Sequence, residues 1–324
     1  MSFAKKLVAL ALVLTVLLVA GGLFLRGWSG DGPASAPTPV IIAPGSSLAK
    51  AAETLEQAGV LASADRFLLQ AKLLGGDDPI KAGEYEIPTK ASPSAILELL
   101  QGGKTLQRFI VVPEGMPSIM VHERLMAAPT LTGSIPVPAE GSVLPDSYSY
   151  QRGESRAAVL KRMQDAMTKE LDRLWAQRKP TSAVDNKRDA VILASVVEKE
   201  TGKASERRMV AGVYSNRVRI GMKLDADPTV IYPITRGKPL GRRIRRSELN
   251  DDNGYNTYAK AGLPAGPIAN PGRESIAAVL DPAPTQALYF VADGTGGHVF
   301  ANTLAEHNAN VAKWYAIRRQ RGEM

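Results

Sequence analysis

The stretch DAVILASVVEKETG, Asp189 to Gly202, decides how this chain is read. None of the eight residues from Ala190 to Val197 carries a charge, and a helix built of them is apolar all round, so it belongs inside a core. The run stops at Glu198-Lys199-Glu200-Thr201. A carboxyl group at the rim of an apolar environment has a raised pKa, because losing water disfavours its charged form. A proton held near neutral pH is what a general acid needs. At 3.6 residues per turn, Glu198 and Glu200 point about 200° apart, so only one of them faces a given cleft.

On the N-terminal side of this run, Val159, Met163, Met167, Leu171 and Leu174 form a stripe that predicts an amphipathic helix over Glu154 to Arg178. On the C-terminal side, Ser205-Glu206 are placed to cap a helix carrying Val210, Val213, Tyr214, Val218 and Ile220. Four later stretches interleave Tyr, Asn, Pro and Gly: Asp225–Tyr232, Tyr255–Tyr258, Gly262–Gly272 and Leu288–Ala292. That density predicts loops lining a groove. Tyr and Asn suit sugar hydroxyls, offering a flat apolar face beside hydrogen-bonding groups.

Nearer the N-terminus, VIIAPGSSLAKAAETL from Val40 reads as strand, Pro-Gly turn and helix. A second helix follows over Phe67 to Leu74, a strand over Gly83 to Ile87, and a helix from Ser94 to Leu100 closed by Gly102-Gly103. FIVVPEGMPSIMVHERL from Phe109 echoes the strand-turn-helix order, suggesting a duplication. Before the folded part, Leu7 to Leu25 run without a charge, long enough to cross about 30 Å of hydrocarbon. Lys5 and Lys6 precede the run and Arg26 follows it, which places the N-terminus in the cytoplasm and the rest outside. A cleaved signal peptide is the competing reading, through Ala34-Ser35-Ala36. Gly27 to Pro39 reads as a flexible tether.

The 324 residues carry 40 Lys plus Arg against 32 Asp plus Glu, a formal charge of +8. Arg236, Lys238, Arg242, Arg243, Arg245 and Arg246 with Lys5 and Lys6 account for all of that excess. The basicity is local, and a broad nucleic-acid-binding face is not indicated. There is no cysteine, and His122, His298 and His307 are too scattered for a metal motif. No GxSxG, P-loop or calcium-loop spacing occurs. No metal or cofactor is expected.

LASVVEKET from Leu193, ASERRMVAGVYSNRVRIGMKLDADPTVIY from Ala204, YNTY from Tyr255, GLPAGPIANPG from Gly262 and LYFVADGTGGHVF from Leu288 together resemble the endolytic murein transglycosylase family, the YceG-like membrane-anchored lytic transglycosylases of bacteria. The region from Val40 resembles a LysM-like glycan-holding module. The resemblance implies an α+β chain with a transmembrane helix (1–26), a tether (27–39), the LysM-like module (40–107) and a catalytic domain (108–324), the echo at its start being a possible second strand-turn-helix of that kind. It implies cleavage of nascent peptidoglycan between N-acetylmuramic acid and N-acetylglucosamine, leaving a 1,6-anhydro end, at the outer face of the inner membrane. Peptidoglycan strands are the implied partner, with wall-synthesis enzymes as further candidates. Lytic transglycosylases commonly carry the acid before a hydroxyl residue, as in Glu200-Thr201, so Glu200 is the implied catalyst with Glu198 in reserve. Asp227, Thr229, Tyr255, Asn256 and Tyr258 are the candidates to hold N-acetyl or hydroxyl groups. A water-using muramidase and a noncatalytic peptidoglycan-binding scaffold are the alternative readings.

Overall fold

The computed structural model describes residues 3–323. Met1, Ser2 and Met324 lie outside the described residues, as do the side chains of residues 3–6, including Lys5 and Lys6 of the expected cytoplasmic tip, and of Ala9. The chain is mixed helix and sheet and divides into two compact units, Met1–Arg108 and Phe109–Met324.

The first unit contains α1 (Phe3–Ser29), β1 (Thr38–Ile42), α2 (Leu48–Gln57), α3 (Ala64–Leu74), β2 (Gly83–Ile87) and α4 (Pro93–Gly102). β1 and β2 pair antiparallel, with Val40 opposite Tyr85. Ser47, Ser63 and Ser92 cap α2, α3 and α4, each hydroxyl accepting the backbone N–H three residues on. Gly103, at φ 69°, ends α4 in the left-handed region open to glycine. Val40, Leu55, Phe67, Tyr85, Ile87 and Leu100 form the centre of the core. The Tyr85 hydroxyl finds a partner there by donating to the Lys81 carbonyl at 2.6 Å. Within α1, Leu10–Ser29 is apolar and long enough to cross a membrane.

The expected tether is not free chain. Trp28 packs against Phe67 at 6.1 Å, and Ala34 is buried. The Gly32 N–H donates to the Lys90 carbonyl, and the Lys90 N–H to the Ala34 carbonyl. Backbone hydrogen bonds hold this Gly- and Pro-rich stretch, and composition alone does not reveal them.

The second unit contains β3 (Arg108–Val111), α5 (Ser118–Ala127), β4 (Ser147–Tyr150), α6 (Arg156–Ala176), α7 (Lys187–Glu200), a 3₁₀ turn (Ala204–Glu206), α8 (Arg207–Arg219), α9 (Asp227–Thr235), α10 (Arg246–Leu249), α11 (Arg273–Leu280), β5 (Tyr289–Ala292), β6 (His298–Ala301) and α12 (Leu304–Gln320). β3 pairs with β4, and β5 pairs antiparallel with β6. The strand-turn-helix order recurs in β3 and α5, but irregular chain rather than a second helix leads on to β4.

α7 is the axis of this unit. Every residue from Ala190 to Val197 is buried, and α8 and α11 pack against the helix. Asn186 caps it, its side-chain oxygen accepting the Asp189 N–H at 2.9 Å. Three of the four stretches expected as groove loops differ in the structure. Asp227 and Pro228 open the helix α9, an acidic residue and a proline at the positions that favour a helix start. Tyr289 to Ala292 form the strand β5. Ile268 to Gly272 are buried, with Asn270 donating to the Met116 carbonyl and the Ser118 hydroxyl and accepting from Val143. Those bonds give Asn270 a structural role in that loop.

Candidate active site

The C-terminal end of α7 delivers Glu200 to a cavity of about 750 Å³. Asp227 and Pro228 from the start of α9, Tyr258 from the YNTY turn and Tyr289 from β5 line the same cavity. Burial is the largest influence on the Glu200 carboxyl and the nearby Asp227 charge is the next; together they push its pKa up from 4.5 to about 7, against the opposing pull of Tyr214 and Arg217. Its Oε1 is buried and has no hydrogen-bond partner in the protein. A carboxyl in that state is protonated in about half of the molecules at neutral pH and has an oxygen left to engage a ligand.

Asp227 and Tyr258 form a pair. The Tyr258 hydroxyl donates to Asp227 Oδ1 at 2.7 Å, and burial together with that bond holds the phenol far above its usual range. Arg217 is buried beside them. Its Nε donates to the Leu288 carbonyl at 2.6 Å and its Nη1 to the Leu224 carbonyl at 2.7 Å. Asp225 lies 3.6 Å away in a left-handed backbone conformation, φ 49°. The guanidinium also sits 5.4 Å from the centre of the Tyr289 ring. One buried cation thus ties α8 to β5 and to the turn that carries Asp225.

The remaining sequence candidates are placed elsewhere. Thr229 is fully buried, donating to the Ala226 carbonyl at 2.6 Å and lying 2.9 Å from the Thr257 hydroxyl. Asn256 is also buried. Its Nδ2 donates to the carbonyls of Glu248, Leu249 and Asp251, and its Oδ1 accepts the Tyr258 N–H at 2.9 Å. Both satisfy the backbone that positions Asp227 and Tyr258, which is why neither reaches the cavity. Tyr255 packs tilted against Tyr232, ring centres 5.0 Å apart, and lines a separate cavity of about 410 Å³ with Glu140 and Arg236.

Glu198 points away from Glu200, as helical geometry requires. Its Oε2 accepts the Gly272 N–H at 2.9 Å and its Oε1 lies 3.8 Å from Arg207. Glu114 shares that arginine at 3.5 Å. A Cβ on Gly272 would fall 2.1 Å from Glu114 Oε1, so a larger residue there would have to push the half-exposed Glu114 side chain aside. Glu198 therefore serves as a tie between α7 and the buried loop.

Tyr214, Arg217, Tyr289 and one face of α12 line the cavity and were not among the sequence candidates. For Arg217 the signal was a cation set among the apolar positions of α8. For α12 it was His307, Val311, Trp314 and Arg318, which recur at helical spacing. Among the described residues, no group of three or more His, Cys, Asp or Glu is arranged to hold a metal ion. Two cations of the basic run have acidic partners: Lys238 pairs with Glu123 at 2.5 Å, and Arg242 bridges to Glu248, whose carboxyl also accepts the Arg245 N–H and is held at about 2 by those contacts.

The chain thus combines an apolar N-terminal helix with an α+β body whose buried central helix ends in a carboxyl of raised pKa at the edge of a cavity. Its family follows from comparison. The YceG-like family pattern matches residues 40–313, and the chain belongs to that family. It is 29% identical over 367 residues to the endolytic murein transglycosylase of Streptococcus pneumoniae strain D39, covering 96% of this chain but 66% of that relative's length. With the endolytic murein transglycosylase of Bacillus subtilis it shares 28% identity over 341 residues, covering 94% of this chain and 93% of the relative. A crystal structure of a YceG-like protein from Listeria monocytogenes superposes with a TM-score of 0.53 at 28% identity, over 84% of this chain and 97% of that one.

Proposed function

We propose that this protein is an endolytic lytic transglycosylase of peptidoglycan in which Glu200 is the single acid and base. The observation that carries the reading is the Glu200 carboxyl itself: in a cavity, buried enough to hold its proton near pH 7, and with one oxygen unpartnered. The names of the Streptococcus and Bacillus relatives support the substrate.

In the proposed reaction, protonated Glu200 gives its proton to the oxygen between N-acetylmuramic acid and N-acetylglucosamine as that bond breaks. The resulting carboxylate takes the proton of the muramic acid C6 hydroxyl, and the C6 oxygen closes on C1 to give the 1,6-anhydro end. The intramolecular hydroxyl does the work of water or of a second carboxylate nucleophile. Asp227 supplies negative charge that keeps Glu200 protonated and favours the positive charge developing on the sugar ring. Tyr258 holds that carboxylate in place. Arg217 favours the ionised form of Glu200 once the proton has left.

The β1–α2–α3–β2 order, with its antiparallel strand pair, supports a LysM-like reading of residues 40–107 as a glycan-holding module. The apolar stretch of α1 supports a single-pass anchor in the inner membrane, with the N-terminus in the cytoplasm and the catalytic domain outside. Wall-synthesis enzymes are the partners that such a location brings near. The direct test is Glu200→Gln in the full chain. Loss of cleavage in a folded protein supports the assignment, and turnover retained at wild-type level sinks it.

A further inference from the structure

α12 is seventeen residues long and not one of them is fully buried. It packs on β5 and β6 and presents His307, Val311, Trp314 and Arg318 to the Glu200 cavity, a single row along the helix. Helices that serve only a core bury their large apolar residues; here Leu304 and Tyr315 line the cavity while 55% and 44% exposed.

The rings along the row are held in place. His307 stacks on Tyr289 at 5.2 Å with 23° between the planes, and Arg217 covers that same tyrosine. Burial and then the Arg217 charge lower the pKa of the imidazole, and its Nδ1 is buried without a partner. Further along, the Trp314 ring lies against Gly294, in the turn between β5 and β6. That turn is fixed in its own right. Gly294 has φ 84°, and its carbonyl accepts from Arg321 at 2.6 Å. Arg318 lies 5.9 Å from the centre of the Trp314 ring. Flat rings with fixed rotamers bind at low entropic cost, because little freedom is left to lose.

We infer that the face of α12 running from His307 to Trp314, with Tyr289 beneath it, is a stacking platform for sugar rings of the same glycan strand, away from the bond cleaved at Glu200. The inference rests on the proposed function and deepens it. Continuity with the cavity that holds the acid selects a glycan as the occupant, since a strand lying across Glu200 passes along this wall. A surface of aromatic rings beside Arg318 and Asp225 also suits rings that are apolar on one face and hydroxylated at the edge.

The test uses the full chain in detergent, once as wild type and once carrying Glu200→Gln, with peptide-free peptidoglycan glycan strands as the probe. Trp314→Ala is expected to weaken binding about tenfold, in the range of a single buried anchor lost from an interface. Trp314→Phe, which keeps a ring against Gly294, should restore most of the affinity. On cleavage, Trp314→Ala should raise KM for long strands and leave kcat nearly unchanged. Should Trp314→Ala bind as tightly as the parent, or should Phe fail to rescue while both variants keep the parent's circular dichroism and melting temperature, the platform is overturned. Because binding is read with and without Glu200, a wrong acid assignment shows as turnover by Glu200→Gln and leaves the binding comparison standing.

Discussion

Glu200→Gln makes a prediction about folding as well as about turnover. Glu200 has a folded-state pKa of about 7 against 4.5 for the ordinary group. A carboxyl with a raised folded pKa binds its proton more tightly in the folded state, so its contribution to stability is complete below about pH 4.5 and lost as pH rises through about 7. A shift of that size corresponds to about 3 kcal/mol in full, of which about 2–3 kcal/mol disappears between pH 5 and pH 8. For a unit of this size that is roughly 5–10 °C in melting temperature. Glutamine does not titrate, so the variant should lack this decline. The assay is thermal unfolding followed by circular dichroism from pH 5 to 8.5, comparing the pH dependence of the two proteins rather than their absolute stabilities. Parallel curves for wild type and Glu200→Gln would refute the buried, proton-holding carboxyl, whatever the activity of the variant.

Three further outcomes separate catalysis from scaffolding. Asp227→Asn removes a charge that raises the Glu200 pKa, so the alkaline limb of kcat/KM should move to lower pH, with activity at pH 7.5 falling several-fold; an unmoved limb contradicts the coupling. Asn256→Ala strands three carbonyls and the Tyr258 N–H, and should cost about 2–4 kcal/mol of stability in urea unfolding. The pH profile of its residual activity should be that of wild type. Glu198→Gln weakens the tie to Gly272 and Arg207 and should lower the melting temperature while leaving the alkaline limb near pH 7; a shifted limb would make Glu198 part of the proton chemistry.

The central helix was legible because an unbroken apolar run admits few environments, and Ala190 to Val197 are all buried. The separation of Glu198 from Glu200 followed from helix geometry, and only Glu200 lines the large cavity. The substrate candidates were harder. Polar residues near a motif either face ligand or satisfy backbone, and sequence does not distinguish the two. Asp227 and Tyr258 reach the cavity, whereas Thr229 and Asn256 spend their hydrogen bonds on the turns beneath, and Tyr255 belongs to another pocket. The order in Gly27 to Pro39 is hidden from composition for a related reason: Gly32 and Ala34 are held through backbone groups, which every residue type shares. The wall formed by α12 is not legible in the sequence, because a half-buried row such as His307, Val311 and Trp314 has the spacing of a core stripe.

The most direct test of the account is the chemistry of the new chain end. Wild-type protein and Glu200→Gln are incubated with peptide-free and peptide-bearing glycan strands, and the released fragments are weighed by mass spectrometry. The account predicts muramic acid ends lighter by one water than the hydrolytic product, formed by wild type and absent with Glu200→Gln. Reducing ends at the full hydrolytic mass, or anhydro ends formed equally by both proteins, would contradict it.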